Sequence, residues 1–155
     1  MFDYLILTEK KSAFDNFVAA LGGETGTVNG HTYQLTHAQG HLLEFLDPVD
    51  QVAPNLKDKY ESWELKDLPW NLQDLTWRKK AKNGSAQKMI KKIANESRQA
   101  QAIVIATDND PSGEGELLAW EIINAINWRG PVYREYHDDE SKKGIQKALR
   151  NLRDI

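Results

Sequence analysis

Residues 102–107, Ala-Ile-Val-Ile-Ala-Thr, are the clearest candidate for a buried strand in this chain, and Asp108-Asn109-Asp110 follows them directly. A short run of branched apolar residues bounded by polar ones is typical of a strand with both faces covered. Over 114–127, apolar residues recur at helical spacing and predict a helix. A buried strand that leads into a helix favours a parallel sheet covered by helices.

The rest of the chain repeats this alternation of strands and helices. The predicted elements are a strand over 4–8, a helix that starts with a capping-box-like Ser12 and ends at Gly22-Gly23, extended segments over 31–46, irregular loops over 47–83, a helix capped by Ser85, a strand over 132–136 and a helix that begins at Ser141. Alternating strands and helices predict an α/β fold, with a mostly parallel central sheet and helices on its faces.

The composition limits the class of protein. The chain has 155 residues, of which 40% are apolar and none is cysteine. Its length predicts a single domain over 1–155, and the absence of cysteine excludes disulfides, thiolate zinc sites and a cysteine nucleophile. No apolar run approaches the roughly 18 residues of a membrane span, and the first residues lack the features of a signal peptide. We therefore expect a soluble, cytoplasmic domain with no membrane partner.

The net charge of −3 conceals a strong segregation of charge along the chain. Residues 76–95 contain seven basic side chains and no acid, and residues 141–153 contain five more and again no acid. Acidic side chains gather instead over 108–121 and 135–140. Basic stripes beside an acidic cluster suit a polyanion-binding protein that also holds a divalent cation, although such runs are also typical of solvated helix faces.

Carboxylates follow two of the predicted buried strands. Glu9 comes after the strand over 4–8, and Asp108 and Asp110 come after the strand over 102–107. Ligands bind at the carboxyl ends of strands in open parallel sheets, so these acids meet if the two strands are neighbours. Oxygen ligands without cysteine favour Mg²⁺ over zinc or copper. The alternative is that Asp108 or Asp110 caps the following helix.

An ordered set of motifs resembles the N-terminal Toprim domain of type IA DNA topoisomerases, of the bacterial topoisomerase I and III kind. The motifs are Leu7-Thr8-Glu9-Lys10-Lys11-Ser12, Ala38-Gln39-Gly40-His41-Leu42, Tyr60-x-x-Trp63-x-Leu65-x-x-Leu68-Pro69, Ala106-Thr107-Asp108-Asn109-Asp110 with Gly115-Glu116-x-x-Ala119-Trp120, and the ending from His137 to Leu149. The resemblance spans nearly the whole chain. It implies a Toprim fold, which is Rossmann-like.

The resemblance also implies roles for individual residues. Glu9 matches the acid that assists proton transfer and binds metal, and Asp108 and Asp110 match the pair that holds Mg²⁺. His41 matches a DNA-contacting histidine, for which the alternative is a hydrogen bond within its own loop. Lys10 or Lys11 is a candidate phosphate contact. The basic stripe that begins with Arg78, Lys79 and Lys80 is a candidate DNA-binding surface, whereas the tryptophans at 63, 70 and 77 are expected to pack rather than stack on bases.

One motif departs from the family pattern. The family reads Asp-x-Asp-Arg-Glu-Gly-Glu, whereas Pro111-Ser112-Gly113 follows Asp110 here. Aligning Asp108 with the first aspartate requires a two-residue insertion and makes Glu114 the third acid. A gapless alignment would instead begin at Asp110 and leave Ser112 at the second position. We prefer the insertion, because Asp108 directly follows the strand.

The resemblance implies that the chain is the acidic, Mg²⁺-binding half of a type IA active site. Such enzymes cut one strand of underwound DNA with a tyrosine, pass another strand and reseal, which relaxes negative supercoils. No tyrosine here matches the nucleophile segment, so the remaining topoisomerase domains are expected in the same longer chain of a bacterial protein associated with chromosome or plasmid. Two alternatives stay open: a stand-alone Toprim nuclease or primase-like phosphoryl transferase, and a non-catalytic DNA-binding module.

Overall fold

The computed structural model describes residues 1–155, which divide into two compact units: 1–42 together with 83–155, and 43–82. The strands are β1 (Phe2–Thr8), β2 (Thr25–Val28), β3 (His31–His37), β4 (Leu43–Phe45), β5 (Lys79–Ala81), β6 (Ala100–Ala106), β7 (Val132–Arg134) and β8 (Arg153–Asp154). The α-helices are α1 (Lys11–Leu21), α2 (Lys57–Glu61), α3 (Gly84–Ser97), α4 (Glu114–Ala125) and α5 (Lys142–Ala148). None of these helices combines the length and the apolarity needed to cross a bilayer.

A six-stranded sheet in the order β2-β3-β1-β6-β7-β8 forms the centre of the first unit. The four inner strands are parallel, and the two edge strands pair antiparallel with their neighbours. The predicted α/β fold with a mostly parallel sheet and flanking helices is confirmed. From β1 the chain crosses to β3, and from β6 it crosses in the opposite direction to β7, so the sheet has its switch point between β1 and β6.

The apolar core lies on both faces of this sheet. On one face, Ile6 and Val104 pack with Phe14 and Phe17 of α1 and with Ile145 of α5. The neighbouring strand residues alternate to the opposite face, where α3 packs against β6. Burying each large apolar side chain contributes about 1.5–3 kcal/mol. The two central strands are therefore held rigidly by the packing on either side.

The helix starts differ in part from those predicted. α1 begins one residue earlier than Ser12 and has no side-chain cap, because Lys10 stands at its N-cap. Asn83, not Ser85, caps α3 by accepting a hydrogen bond from the Ala86 N–H. The cap at Ser141 is confirmed, since its hydroxyl accepts from the Gly144 N–H at 3.1 Å. Gly22 ends α1 with a φ of 88°, which favours glycine over residues with a Cβ.

The second unit contains the antiparallel pair β4–β5, the short helix α2 and several single helical turns. Tyr60 is fully buried, and its hydroxyl donates to Asp74 at 2.7 Å. Trp70 packs between Tyr60 and Trp63, with ring centroids 5.2 and 4.5 Å away. Trp77 packs against Phe45 at 5.7 Å. Each of the three tryptophans contacts another ring, but Trp63 is 66% and Trp77 51% exposed. That they pack rather than stack on bases stays a prediction.

Candidate active site

The carboxyl ends of β1 and β6 bring the predicted acids together. Thr8 pairs with Ala106 in the parallel register, so the residues that follow each strand leave the same edge of the sheet. The Asp108 N–H donates to Glu9 Oε2 at 3.4 Å. Glu9, Asp108, Asp110, Glu114 and Gly115 line one pocket of about 210 Å³. All four acids predicted from sequence therefore lie at one site, at the switch point of the sheet.

Lys10 places a positive charge at this pocket. Its ammonium Nζ lies 3.2 Å from Asp108 Oδ2, and both side chains are about half exposed. The hydrogen bond to Asp108 and the charges of Asp108, Glu9 and Glu140 raise the pKa of Lys10. An exposed pair of this kind adds little stability. Lys10 is therefore a cation paired with one of the acids that line the pocket.

The Asp110 carboxylate binds backbone N–H groups at the start of α4, whose N-cap residue is Gly113. Its carboxylate accepts hydrogen bonds from the backbone N–H groups of Ser112, Glu114 and Gly115, and from the Ser112 hydroxyl. These bonds, led by that of the Ser112 hydroxyl, hold the pKa of Asp110 well below its usual range. The capping alternative thus describes its contacts in the structure. Its oxygens also line the pocket, because a carboxylate has about four acceptor sites.

His41 lies next to the pocket and contacts two acids of α4. Its Nδ1 lies 2.9 Å from Glu121 Oε2, and its Nε2 lies 3.5 Å from Glu114 Oε1. The histidine is thus held by helix acids and not by the loop hydrogen bond considered as the alternative. Glu121 has a nearly buried side chain, and nothing in the sequence assigned it to this site. Glu114, the proposed third acid, is 71% exposed, and this contact with His41 is its ion-pair contact in the structure.

Arg134 contacts the backbone that carries Asp108. The sequence alone did not identify this residue. It is only 1% exposed at the end of β7. Its guanidinium donates to the backbone carbonyls of Ile105 at 3.1 Å, Glu135 at 2.9 Å and Asp108 at 3.2 Å. A buried cation that donates to carbonyls at the end of β6 fixes the backbone from which the Asp108 carboxylate projects.

Glu135 and His137 form a buried pair nearby. Glu135 is fully buried, and its Oε2 lies 2.8 Å from His137 Nδ1. The hydrogen bond to Glu135 raises the pKa of His137. One ligand-type atom of His137 lies within 4.8 Å of one in Asp108 and one in Glu140. The sequence alone indicated only an acidic run at 135–140. It could not predict that His137 lies near Asp108, because this depends on β6 and β7 being neighbouring strands.

The basic residues over 78–92 do not all lie on the same secondary-structure element. Arg78, Lys79 and Lys80 belong to the second unit, whereas the lysines over 88–92 lie on α3 of the first. Arg78 donates to the Asp50 carbonyl at 2.6 Å, and Lys79 lies 4.7 Å from the Phe45 ring. Lys80 lies 3.9 Å from Glu44. These three cations thus make local contacts and are mostly exposed.

Gly115 is required by the close approach of α4 to the β6 loop. A Cβ at this position would overlap the Asp108 carbonyl oxygen and approach the Asp108 N to 3.3 Å. Backbone atoms cannot rotate away as a flexible side chain can. The helix that carries Glu114 can therefore lie against Asp108 only if residue 115 has no side chain.

We expect Gly115→Ala to lower the free energy of unfolding by about 1–3 kcal/mol, because the added methyl forces the backbone of Asp108 to move. Urea unfolding followed by circular dichroism measures the change. Gly84→Ala is the matched control, since it also adds a methyl in the first turn of a helix but has nothing within 4 Å. Equal stabilities of the two variants would contradict the close approach.

Comparison with known proteins agrees with this geometry. The family model described as the Toprim domain matches residues 4–143. The chain therefore belongs to the Toprim family.

Its relatives include proteins named DNA topoisomerase 3. The protein from Staphylococcus haemolyticus is 30% identical over 154 residues, and the one from Staphylococcus aureus strain USA300 is 31% identical over 153 residues. The protein from Staphylococcus epidermidis is 30% identical over 152 residues. These alignments cover 96–97% of this chain and 20% of each relative. The chain thus spans about a fifth of the length of the curated relatives that it matches.

Proposed function

We propose that this chain is the acid- and metal-binding half of a type IA DNA topoisomerase active site. The observation that carries the proposal is the single pocket lined by Glu9, Asp108, Asp110 and Glu114 at the switch point of a Toprim sheet. The relatives named DNA topoisomerase 3 support it. Because the family model runs through both compact units, we infer that residues 1–155 form a single Toprim domain.

The donor set of the pocket fits Mg²⁺. Glu9, Asp108 and Glu114 offer carboxylate oxygens, and Asp110 adds oxygens that also cap α4. Mg²⁺ in proteins is bound by one or two carboxylates together with waters and substrate phosphate, so an open acidic pocket suits it. A bound cation supplies positive charge for a DNA phosphate. Asp108 and Asp110 would hold it.

The remaining side chains would act on the DNA. Glu9 lies at the end of β1 and would hold or move a proton at an oxygen of the scissile phosphate. Lys10 would contact the phosphate, and His41 would contact the strand beside α4. The substrate would be a single-stranded, underwound segment, gripped further by Arg78, Lys79 and Lys80. A substrate of this kind lies with the chromosome or plasmids of a bacterial cytoplasm.

We expect Mg²⁺ to bind weakly and to depend on the aspartate pair. Calorimetry or NMR titration should show weak but measurable Mg²⁺ binding to the native chain. The affinity should fall roughly tenfold or more in Asp108→Asn/Asp110→Asn, because two negative charges are removed from the pocket. Asp47→Asn/Asp58→Asn is the matched control, since it removes the same charge from the second unit. If both double variants bind like the native chain, the pocket is not the magnesium site.

We expect the 155-residue chain by itself neither to relax nor to cleave DNA. Strand passage requires a covalently held end, and covalent catalysis needs a positioned, activated nucleophile. The measurement is plasmid relaxation and 5′-phosphate adduct formation with Mg²⁺ or Mn²⁺. Cleavage without an adduct would favour the stand-alone nuclease. The non-catalytic binding module would be favoured by two results together. DNA binding would remain salt-sensitive after all the pocket acids are replaced, and no relaxation would appear after the remaining domains are added.

A further inference from the structure

A second group of ligand-type side chains lies beside the pocket and includes a histidine. One possible ligand atom from each of Asp108, His137 and Glu140 lies within 4.8 Å of the other two. We name these three residues the histidine cluster. It shares Asp108 with the pocket described above, but His137 and Glu140 do not line that pocket.

The imidazole of His137 is held in one orientation. Its side chain is only 7% exposed, and its Nδ1 lies 2.8 Å from the carboxylate of fully buried Glu135. The ring of Phe17 lies edge-on at 5.6 Å. Facing a carboxylate, Nδ1 donates a proton to it, and in the neutral imidazole the second nitrogen, Nε2, then keeps a lone pair. A metal ion that binds Nε2 displaces the second proton of the charged form. The structure gives Nε2 no hydrogen-bond partner, and histidines that bind metals are commonly oriented by a carboxylate in this way.

In each of the two carboxylates of the histidine cluster, one oxygen accepts a hydrogen bond from a neighbouring side chain and the other oxygen accepts none. Asn16 Nδ2 donates to Glu140 Oε2, and Lys10 Nζ donates to Asp108 Oδ2 at 3.2 Å. The structure shows no hydrogen bond to Glu140 Oε1 or Asp108 Oδ1. Each of the three residues therefore has one polar atom held by a neighbouring side chain and a second polar atom that is available to bind a metal ion.

We infer that the histidine cluster binds a divalent first-row transition-metal ion, with Zn²⁺ as its probe, through His137, Asp108 and Glu140. One imidazole nitrogen with two carboxylate oxygens favours such an ion over Mg²⁺, which prefers oxygen alone. Ligand atoms on one tetrahedral ion lie roughly 3.4 Å apart at bond lengths near 2.1 Å. One possible ligand atom of each residue already lies within 4.8 Å of the other two, so side-chain rotations that move these atoms by roughly 1–2 Å bring three ligands to this spacing.

The test is a Zn²⁺ titration of the full 155-residue chain by calorimetry, in excess Mg²⁺, with the visible absorption of Co²⁺ as a second readout of nitrogen ligation. We expect one ion to bind, and roughly 10–100-fold weaker binding in Glu140→Gln and in His137→Gln. Glu140→Gln alters a partly exposed side chain and tests the site even if His137→Gln unfolds the chain. His31→Gln removes an exposed histidine elsewhere and should bind Zn²⁺ like the native chain.

Glu9→Gln separates this inference from the proposed function. It should weaken Mg²⁺ binding and leave Zn²⁺ affinity within about twofold, since Glu9 is not in the histidine cluster. Zn²⁺ binding that is unchanged in Glu140→Gln, or lost in Glu9→Gln and retained in the histidine-cluster variants, would overturn the inference. Neither result would contradict the proposed Mg²⁺ site.

Discussion

Glu9→Ala is expected to abolish relaxation of negatively supercoiled plasmid in a complete topoisomerase that carries this chain. Positioned acid–base groups contribute about 10²–10⁴-fold to rate, and Glu9 also supplies charge to the pocket. The loss should therefore exceed about a hundredfold. Time courses of plasmid relaxation on agarose gels, with Mg²⁺ present, measure it.

Two further variants show which property of Glu9 matters. Glu9→Gln keeps the shape of the side chain and an oxygen that can accept from the Asp108 N–H, but removes the charge. It should be nearly as inactive as Glu9→Ala. Glu24→Ala removes an exposed acid of the same unit and should relax plasmid at the native rate. Relaxation by Glu9→Ala within about tenfold of the native rate would contradict the role given to Glu9.

Arg134→Met is expected to lower the free energy of unfolding by about 3 kcal/mol or more. Three backbone carbonyls, of Ile105, Asp108 and Glu135, accept from this guanidinium in a buried place. Hydrogen bonds that involve a charged group contribute about 1.5–3 kcal/mol each, and buried acceptors left without a donor pay a desolvation cost. Urea unfolding of the 155-residue chain measures the loss.

Arg153→Met provides a matched control for Arg134→Met. Both guanidinium groups lie over the Tyr136 ring, at 4.7 Å for Arg153 and 4.8 Å for Arg134. Arg153 is exposed and donates to none of the carbonyls at the end of β6. Its replacement should cost less than about 1 kcal/mol. If the two variants unfold at the same urea concentration, the carbonyl contacts of Arg134 do not stabilise the fold.

The arrangement of strands and helices could be predicted because it depends on local patterns. The branched run over 102–107 is apolar on both faces, as a central parallel strand must be. The edge strands could not be predicted, since β2 is mostly exposed and polar and β8 has two residues. The predicted caps at Ser12 and Ser85 each lie two residues after the observed N-cap residues, Lys10 and Asn83. A side-chain cap depends on the backbone dihedral angles at one residue, which several neighbouring polar residues could equally have adopted.

Part of the candidate site was predictable for a simple geometric reason. Glu9 and Asp108 each follow a buried strand, and neighbouring parallel strands end at one edge. The contacts of Arg134, Glu121 and His137 gave no such signal. His41 and Glu121 are 80 residues apart in sequence, and Arg134 acts on backbone atoms, which any sequence has. The roles of the site residues stay predictions.

The antiparallel pair β4–β5 has a consequence for how the second unit can change over time. Leu43 lies opposite Ala81, so the chain leaves and re-enters at neighbouring positions, and everything from 46 to 78 is an excursion from that pair. Loop closure costs only about 0.6 kcal/mol more for each doubling of loop length. Insertions and deletions within the excursion therefore need not disturb the register of β1 with β6. The length and sequence of this module can therefore change while the acidic edge of the sheet in the first unit stays the same.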